Sequence, residues 1–276
     1  EECGELLNVL AKAKRERAIY NQLSDYVVID GGEGADSIEN NGGDYVSISG
    51  GAGNDYINAN TGSPVNDSTL DGGAGNDVIQ AVGERNLVIG GEGNDTINGG
   101  GSNSTIYGGA GSDKVFTNDS NIYIDGGDDA DSIYSAFGND STIIGGAGND
   151  TIINDASGGG ERFSILGGAG ADFIQSGGNA DTIEGGADND TIWAGGNSLV
   201  ISGGDGNDSV QVGGGEAHSV LGGEGNDTIE LRFGVTNSTI DGGAGNDLVS
   251  ISGDSSGNVI QYTGGNDTIS GLTEND

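Results

Sequence analysis

Thirteen aspartates stand at near-regular intervals along the chain: Asp36, Asp55, Asp77, Asp95, Asp113, Asp131, Asp150, Asp172, Asp190, Asp208, Asp227, Asp247 and Asp267. All but the last close a six-residue phrase, Gly-Gly-x-Gly-x-Asp or a near variant. Each is followed by one residue and then by Ile or Val, as in the copy that runs from Gly90 to Asn98. Glycines permit a tight curl that can bring backbone carbonyls together, and the aspartate adds a carboxylate. Carbonyls with carboxylates make a hard oxygen site, which suits Ca²⁺ better than zinc or copper, while Mg²⁺ prefers to keep its waters. The spacing predicts that each ion lies between two successive loops on one edge of a coil. Thirteen loops then allow up to twelve Ca²⁺ ions, which would bring the formal charge of −36 to about −12.

The elements that must hold these loops follow from the spacing. Phrases start at Gly31, Gly50, Gly72, Gly90, Gly108, Gly126, Gly145, Gly167, Gly185, Gly203, Gly222 and Gly242, with a shortened copy at Gly264. The intervals run from 18 to 22 residues, two half-turns of nine or more. The first half-turn holds its length and the second absorbs the insertions, so one edge is strict and the other tolerant. Two apolar ladders recur. One is Ile38, Ile57, Ile79, Ile97 and their successors to Ile269; the other lies two residues before each glycine pair, from Ile29 to Tyr262. Polar neighbours give period-two patterning, one inward residue per short strand. The expected fold is all-β: a right-handed parallel β-roll, or β-solenoid, of about twelve 18–22-residue coils over residues 26–276. Residues 1–25 read differently. Good helix formers over 5–19, with Leu6, Leu7, Leu10, Ala13 and Arg17 near one face, predict a short amphipathic helix capping the first coil.

Composition narrows the function. There are 44 acidic residues against eight basic ones, which disfavours nucleic acid and anionic membrane surfaces as partners. No apolar run is long enough to predict membrane insertion. Cys3 is the single cysteine, so no internal disulfide is expected. No secretory signal is evident and the first residue is not Met, which suggests a piece of a longer or processed protein.

The recurring GGxGxDx-apolar-x phrase resembles the nonapeptide of RTX (repeats-in-toxin) calcium-binding β-rolls. Ten copies match GGxGxD strictly; those at Gly126 (GGDDAD) and Gly185 (GGADND) are variants. The resemblance implies calcium ligation by the thirteen aspartates with loop carbonyls, folding on calcium binding, and type I export to the cell surface or medium. It departs from the family on the second edge. There the slot equivalent to the aspartate holds Val46, Ser68, Asn86, Ser104, Ile122, Ser141, Phe163, Leu199, His218, Ser238 and Ile260, and only Asp181 restores the carboxylate. Calcium is therefore expected along one edge only. His218 has no identifiable catalytic partner and reads as structural. Paired carboxylates recur in every coil, whereas an active site would break the repeat once, so a non-enzymatic module is expected. Trp193, Phe116, Tyr134 and Ile153 share an outward position, and Trp193 reads as an isolated surface aromatic.

The leading reading is a structural or adhesive calcium-binding roll. End-to-end stacking into a homo-oligomer, filament or surface layer is expected from an open terminal coil. Two alternatives stand beside it. One is an accessory or secretion module of an enzyme or toxin. The other is an ice-binding solenoid, weakened because the third loop position is never Thr.

Overall fold

The computed structural model describes residues 8–10, 18–21, 25–60, 62–136, 138–155, 162–261 and 263–272. They form strands and turns, with no helix among them. The chain divides into two compact units, Glu1–Ser135 and Ala136–Asp276. Each is a parallel β-solenoid in which every coil contributes one strand to each of two sheets.

In the first unit the longer strands are Val28–Glu33, Ser47–Ala52, Thr69–Ala74, Leu87–Glu92, Thr105–Ala110 and Tyr123–Asp128. The shorter ones are Ser37–Asn40, Tyr56–Ala59, Val78–Ala81, Thr96–Gly99, Lys114–Thr117 and Ser132–Ala136. In the second unit the first sheet holds Thr142–Ala147, Ser164–Ala169, Thr182–Ala187, Val200–Asp205, Ser219–Glu224, Thr239–Ala244 and Val259–Gln261. The other sheet holds Thr151–Asp155, Phe173–Ser176, Thr191–Ala194, Ser209–Gly213, Thr228–Arg232, Leu248–Ile251 and Thr268–Ser270. Within each unit, strands pair in parallel with their equivalents one coil on, like residue against like: Ile97 opposite Ile79 and Val115, Ile106 opposite Val88 and Ile124.

Both ladders are buried up to the last coil, where Ile260 and Ile269 are half-buried. Ile38, Ile57, Leu70, Ile79, Val88, Ile97 and Ile106 have no exposed surface, and neither do Ile143, Ile152, Ile174, Ile192, Ile229 and Ile240. β-branched side chains suit this narrow space because they pack well against neighbours on a pleated surface. A third inward row lies near the end of the short strands and escaped the sequence reading: Asn40, Ala59, Ala81, Thr117, Ser135, Asn154, Ser176, Ala194, Val212, Leu231 and Ile251 are all buried. Its mixed chemistry hides it from an apolar pattern, although period two continued from position eight reaches it.

Three expectations need correction. Within the stretch read as a capping helix, Asn8–Leu10 and Ala18–Asn21 are strands, paired in parallel with Val28–Asp30 and Ser37–Asn40. Val9 lies opposite Ile29, and Ile19 opposite Ile38. The open backbone groups of the first coil's strands template further strand, which overrides the local helix propensity. The rest of that stretch, with Cys3, lies outside the described residues. Second, the curl expected of the glycine phrase falls on its second half: Gly31-Gly32 lie within the strand Val28–Glu33, and the chain bends just beyond it, at Gly34. Third, the last rung opposite Ile240 is Ile260, and the last second-edge slot is filled by Asn258, because the shortened copy at Gly264 displaces the count by two. Tyr262 lies outside the described residues.

Candidate metal centre

Period two carries the strict-edge aspartate inward. Asp95 precedes Ile97 by two residues, so both side chains face the interior. From Asp36 to Asp247 the twelve aspartates are buried, each 3% exposed or less, and Asp267 is half-buried. In the first unit the backbone N–H groups of Asp36, Asp55, Asp77, Asp95 and Asp113 each donate 2.7 Å to Oδ1 of the aspartate one coil on. In the second unit Asp150, Asp172, Asp190 and Asp208 donate in the same way at 2.8 Å. Asp227 donates at 2.9 Å and Asp247, onto Asp267, at 3.1 Å.

The second oxygen behaves differently. Oδ2 of Asp36, Asp55, Asp77, Asp95, Asp113, Asp172, Asp190, Asp208, Asp227 and Asp247 is buried without a hydrogen-bond partner among the described residues. Its neighbourhood explains the first glycine of the pair. Gly90 faces inward, and a Cβ there would overlap both Asp95 Oδ2 and the Gly108 carbonyl oxygen of the next coil. The same pair of oxygens, from its own loop and the next, borders Gly50, Gly72 and Gly145. A carboxylate oxygen and a carbonyl oxygen thus approach one small space with no donor between them. Two acceptors so placed repel unless a cation or a proton joins them.

The electrostatics agree. Burial, opposed by the backbone hydrogen bond and reinforced by neighbouring carboxylates, pushes Asp95 and Asp190 up to about 7. Asp55, Asp172 and Asp227 rise to about 6 for the same reasons, and Asp113 rises to about 6 by burial against its backbone hydrogen bond. Among the described residues no three His, Cys, Asp or Glu side chains cluster as a metal site. Carboxylates alone therefore do not compose a centre here. The donor set is one carboxylate per coil with backbone carbonyls, all oxygen, which fits calcium.

The second edge is an internal control. Val46 N–H donates to Ser68 Oγ (2.8 Å), Ser68 N–H to Asn86 Oδ1 (3.1 Å), and Asn86 N–H to Ser104 Oγ (2.9 Å). In the second unit Leu199 N–H donates to His218 Nδ1 (3.3 Å), His218 N–H to Ser238 Oγ (2.9 Å), and Ser238 N–H to Asn258 Oδ1 (3.1 Å). Neutral acceptors fill the structural role that Oδ1 fills on the strict edge. The bond from Leu199 makes Nδ1 of His218 the acceptor, so Nε2–H donates to the Gly214 carbonyl at 3.0 Å. Asp181 is the exception that is satisfied: Oδ1 accepts from Phe163 N–H (2.9 Å) and Oδ2 from Ser176 Oγ (2.6 Å). The residue before each slot adopts positive φ, as in Tyr45, Arg85 and Asn103, and its N–H donates to the next coil.

The family model described as the RTX calcium-binding nonapeptide repeat (4 copies) matches residues 42–64, 66–82, 85–121, 123–141, 141–156, 165–198, 200–216, 219–235, 234–250 and 261–276. No curated protein matches the chain, and no solved structure does.

Proposed function

Because the chain belongs to the RTX calcium-binding nonapeptide repeat family, we propose that calcium is held along the strict edge alone and that its binding drives the roll to fold. The observation that carries this reading is the orphaned Oδ2. A serine or asparagine would satisfy the backbone N–H of the preceding coil, as the second edge shows. The strict edge nevertheless spends a carboxylate in every coil, and in ten of them, Asp95 among these, one oxygen has no partner among the described residues.

The aspartates from Asp36 to Asp247, with Asp267, would hold the ions together with carbonyls such as that of Gly108 beside Asp95. Calcium supplies the positive charge that these converging oxygens lack. The chain's part is positional. Oδ1 is pinned by the neighbouring N–H, the inward glycine leaves room, and the stacked sheets fix one coil's loop over the next. In the unfolded chain these oxygens are dispersed, so ion binding and folding form one equilibrium. The reading also makes the roll a structural or adhesive module that works outside the cell, where calcium is abundant. The repetition of one set of residues in each coil supports a non-catalytic role, as does a histidine whose two ring nitrogens are both bonded to backbone.

Circular dichroism during calcium titration of chelated protein tests the proposal. Strand signal should appear cooperatively with calcium and disappear on chelation at neutral pH. Full strand content in excess chelator at that pH would overturn it.

A further inference from the structure

The outward row of the short-strand sheet places aromatic rings among side-chain amides, once in each unit. In the first unit Gln80, Asn98, Phe116 and Tyr134 lie in register on successive strands. Phe116 is 41% exposed and Tyr134 half-buried. Both line an open groove of about 1050 Å³. Its walls come from the tolerant edge, where Pro64 belongs to an inserted loop and Asn118 and Asp119 follow the strand of Phe116. In the second unit Trp193 is 45% exposed between Gln175 and Gln211, and lines a recess of about 280 Å³.

The surroundings select the ligand. Each recess contains one arginine, and each arginine is already neutralised. Arg85 is gripped by both oxygens of Asp67, at 2.7 and 2.8 Å, and by Glu84 at 2.9 Å. Arg232 is bonded to Glu230 at 2.7 Å. With a formal charge of −36 on the chain, neither recess attracts an anion. A peptide strand would need an open sheet edge, whereas Asn98, Phe116 and Lys114 lie on strands paired on both sides. The available chemistry is flat apolar ring faces bordered by amides able to donate and accept. That combination recognises a neutral sugar, whose ring presents an apolar C–H face and a rim of hydroxyls. The repetition of outward positions along the sheet suits a chain of such sugars.

We propose that the first unit's groove is a binding site for neutral oligosaccharides, with Phe116 and Tyr134 as the stacking platform and Asn98 and Asn118 as hydroxyl partners. The proposal deepens the adhesive reading above and rests on a folded roll, so folding is monitored in the same sample by circular dichroism. Isothermal titration of the calcium-loaded full chain with cellohexaose, maltohexaose and chitohexaose provides the test, with polygalacturonate as an acidic comparator. At least one neutral hexamer should bind saturably, and Phe116→Ala and Tyr134→Ala should each weaken it about tenfold without shifting the calcium midpoint of folding. A folded chain that binds none of the three hexamers overturns the proposal. So does preferential binding of polygalacturonate, or hexamer affinity untouched by both substitutions. A chain folded without calcium would count against the calcium reading, while the same titrations would still decide the groove.

Discussion

At Asp95 one side chain has two separable duties. Oδ1 accepts the Asp77 N–H, and Oδ2 faces the Gly108 carbonyl with no donor. Asp95→Asn keeps an acceptor and removes the charge. It should raise the calcium midpoint and lower the bound calcium by about one ion while the roll still folds, read by dichroism and elemental analysis. Asp95→Ala also strands the Asp77 N–H, and should cost a further 1–3 kcal/mol or so in a denaturant titration of the calcium-loaded roll. The buried carboxylates have a pH signature too. Burial raises their proton affinity in the fold above the ordinary 3.8, to about 6 or 7. The calcium-free fold therefore binds more protons than the unfolded chain. Their contribution to its stability is fully present below about pH 4 and is lost as pH rises through 6 to 7. In chelator, strand signal should be stronger at pH 5 than at pH 8, with the difference abolished by saturating calcium. The reverse order would refute the account. Glycines divide in the same way. Gly90→Ala should destabilise the roll by roughly 1–3 kcal/mol, because its Cβ would meet Asp95 Oδ2 and the Gly108 carbonyl. Asp188, held at φ 78° where the ten strict copies have glycine, marks a position at which Asp188→Gly should stabilise the roll by about 1 kcal/mol, read by thermal unfolding.

Between elements, the two edges differ in what an alteration breaks. The strict loop couples its backbone N–H to the carboxylate of the coil ahead, whereas the tolerant turn, Asp181 apart, is closed by backbone bonds and neutral side-chain acceptors such as Asn86 and Ser104. Five Gly or Ser residues inserted after Ser63 should therefore leave calcium-dependent folding nearly unchanged. The same insertion after Gly93 should abolish cooperative folding, with both outcomes read by calcium titration. Most of this architecture was legible in the sequence. The Ile and Val positions carry period two and the phrase carries the coil, so the ladders and the buried aspartates could be named from residue types alone. The N-terminal strands were not legible, because local propensity over Leu6 to Arg17 points to helix while the deciding force is an open sheet edge supplied by distant residues. Asn258 was missed for a related reason. Counting back from a glycine pair fails where the copy is shortened, and only strand pairing restores the register. The non-glycine residues with positive φ on the tolerant edge, Tyr45 and Arg85 among them, carry no type signal at all.

For the molecule as a whole, the acidic charge is the quantity that calcium would regulate under the proposed function. Without the ion, 44 acidic residues face eight basic ones and the buried carboxylates repel the coil from within. At neutral pH in chelator, small-angle scattering should give a radius of gyration approaching about 58 Å, the value for an unfolded chain of 276 residues, and calcium should contract it sharply. An unchanged radius would contradict the coupling. Adjacent strict loops are also joined by bonds of opposite direction. Asp77 N–H donates forward to Asp95 Oδ1, and Asn94 N–H donates back to Asn76 Oδ1. The same exchange joins Asp208 with Asp227 and Asn226 with Asn207. Where both loops carry the asparagine and the aspartate, the joint is a handshake between like partners, so removing or duplicating one such coil leaves an equivalent handshake across the seam. A gene built on this plan can change length by copying errors of a full repeat and still encode a foldable chain, while an error of half a repeat sets a carboxylate against a serine and is discarded.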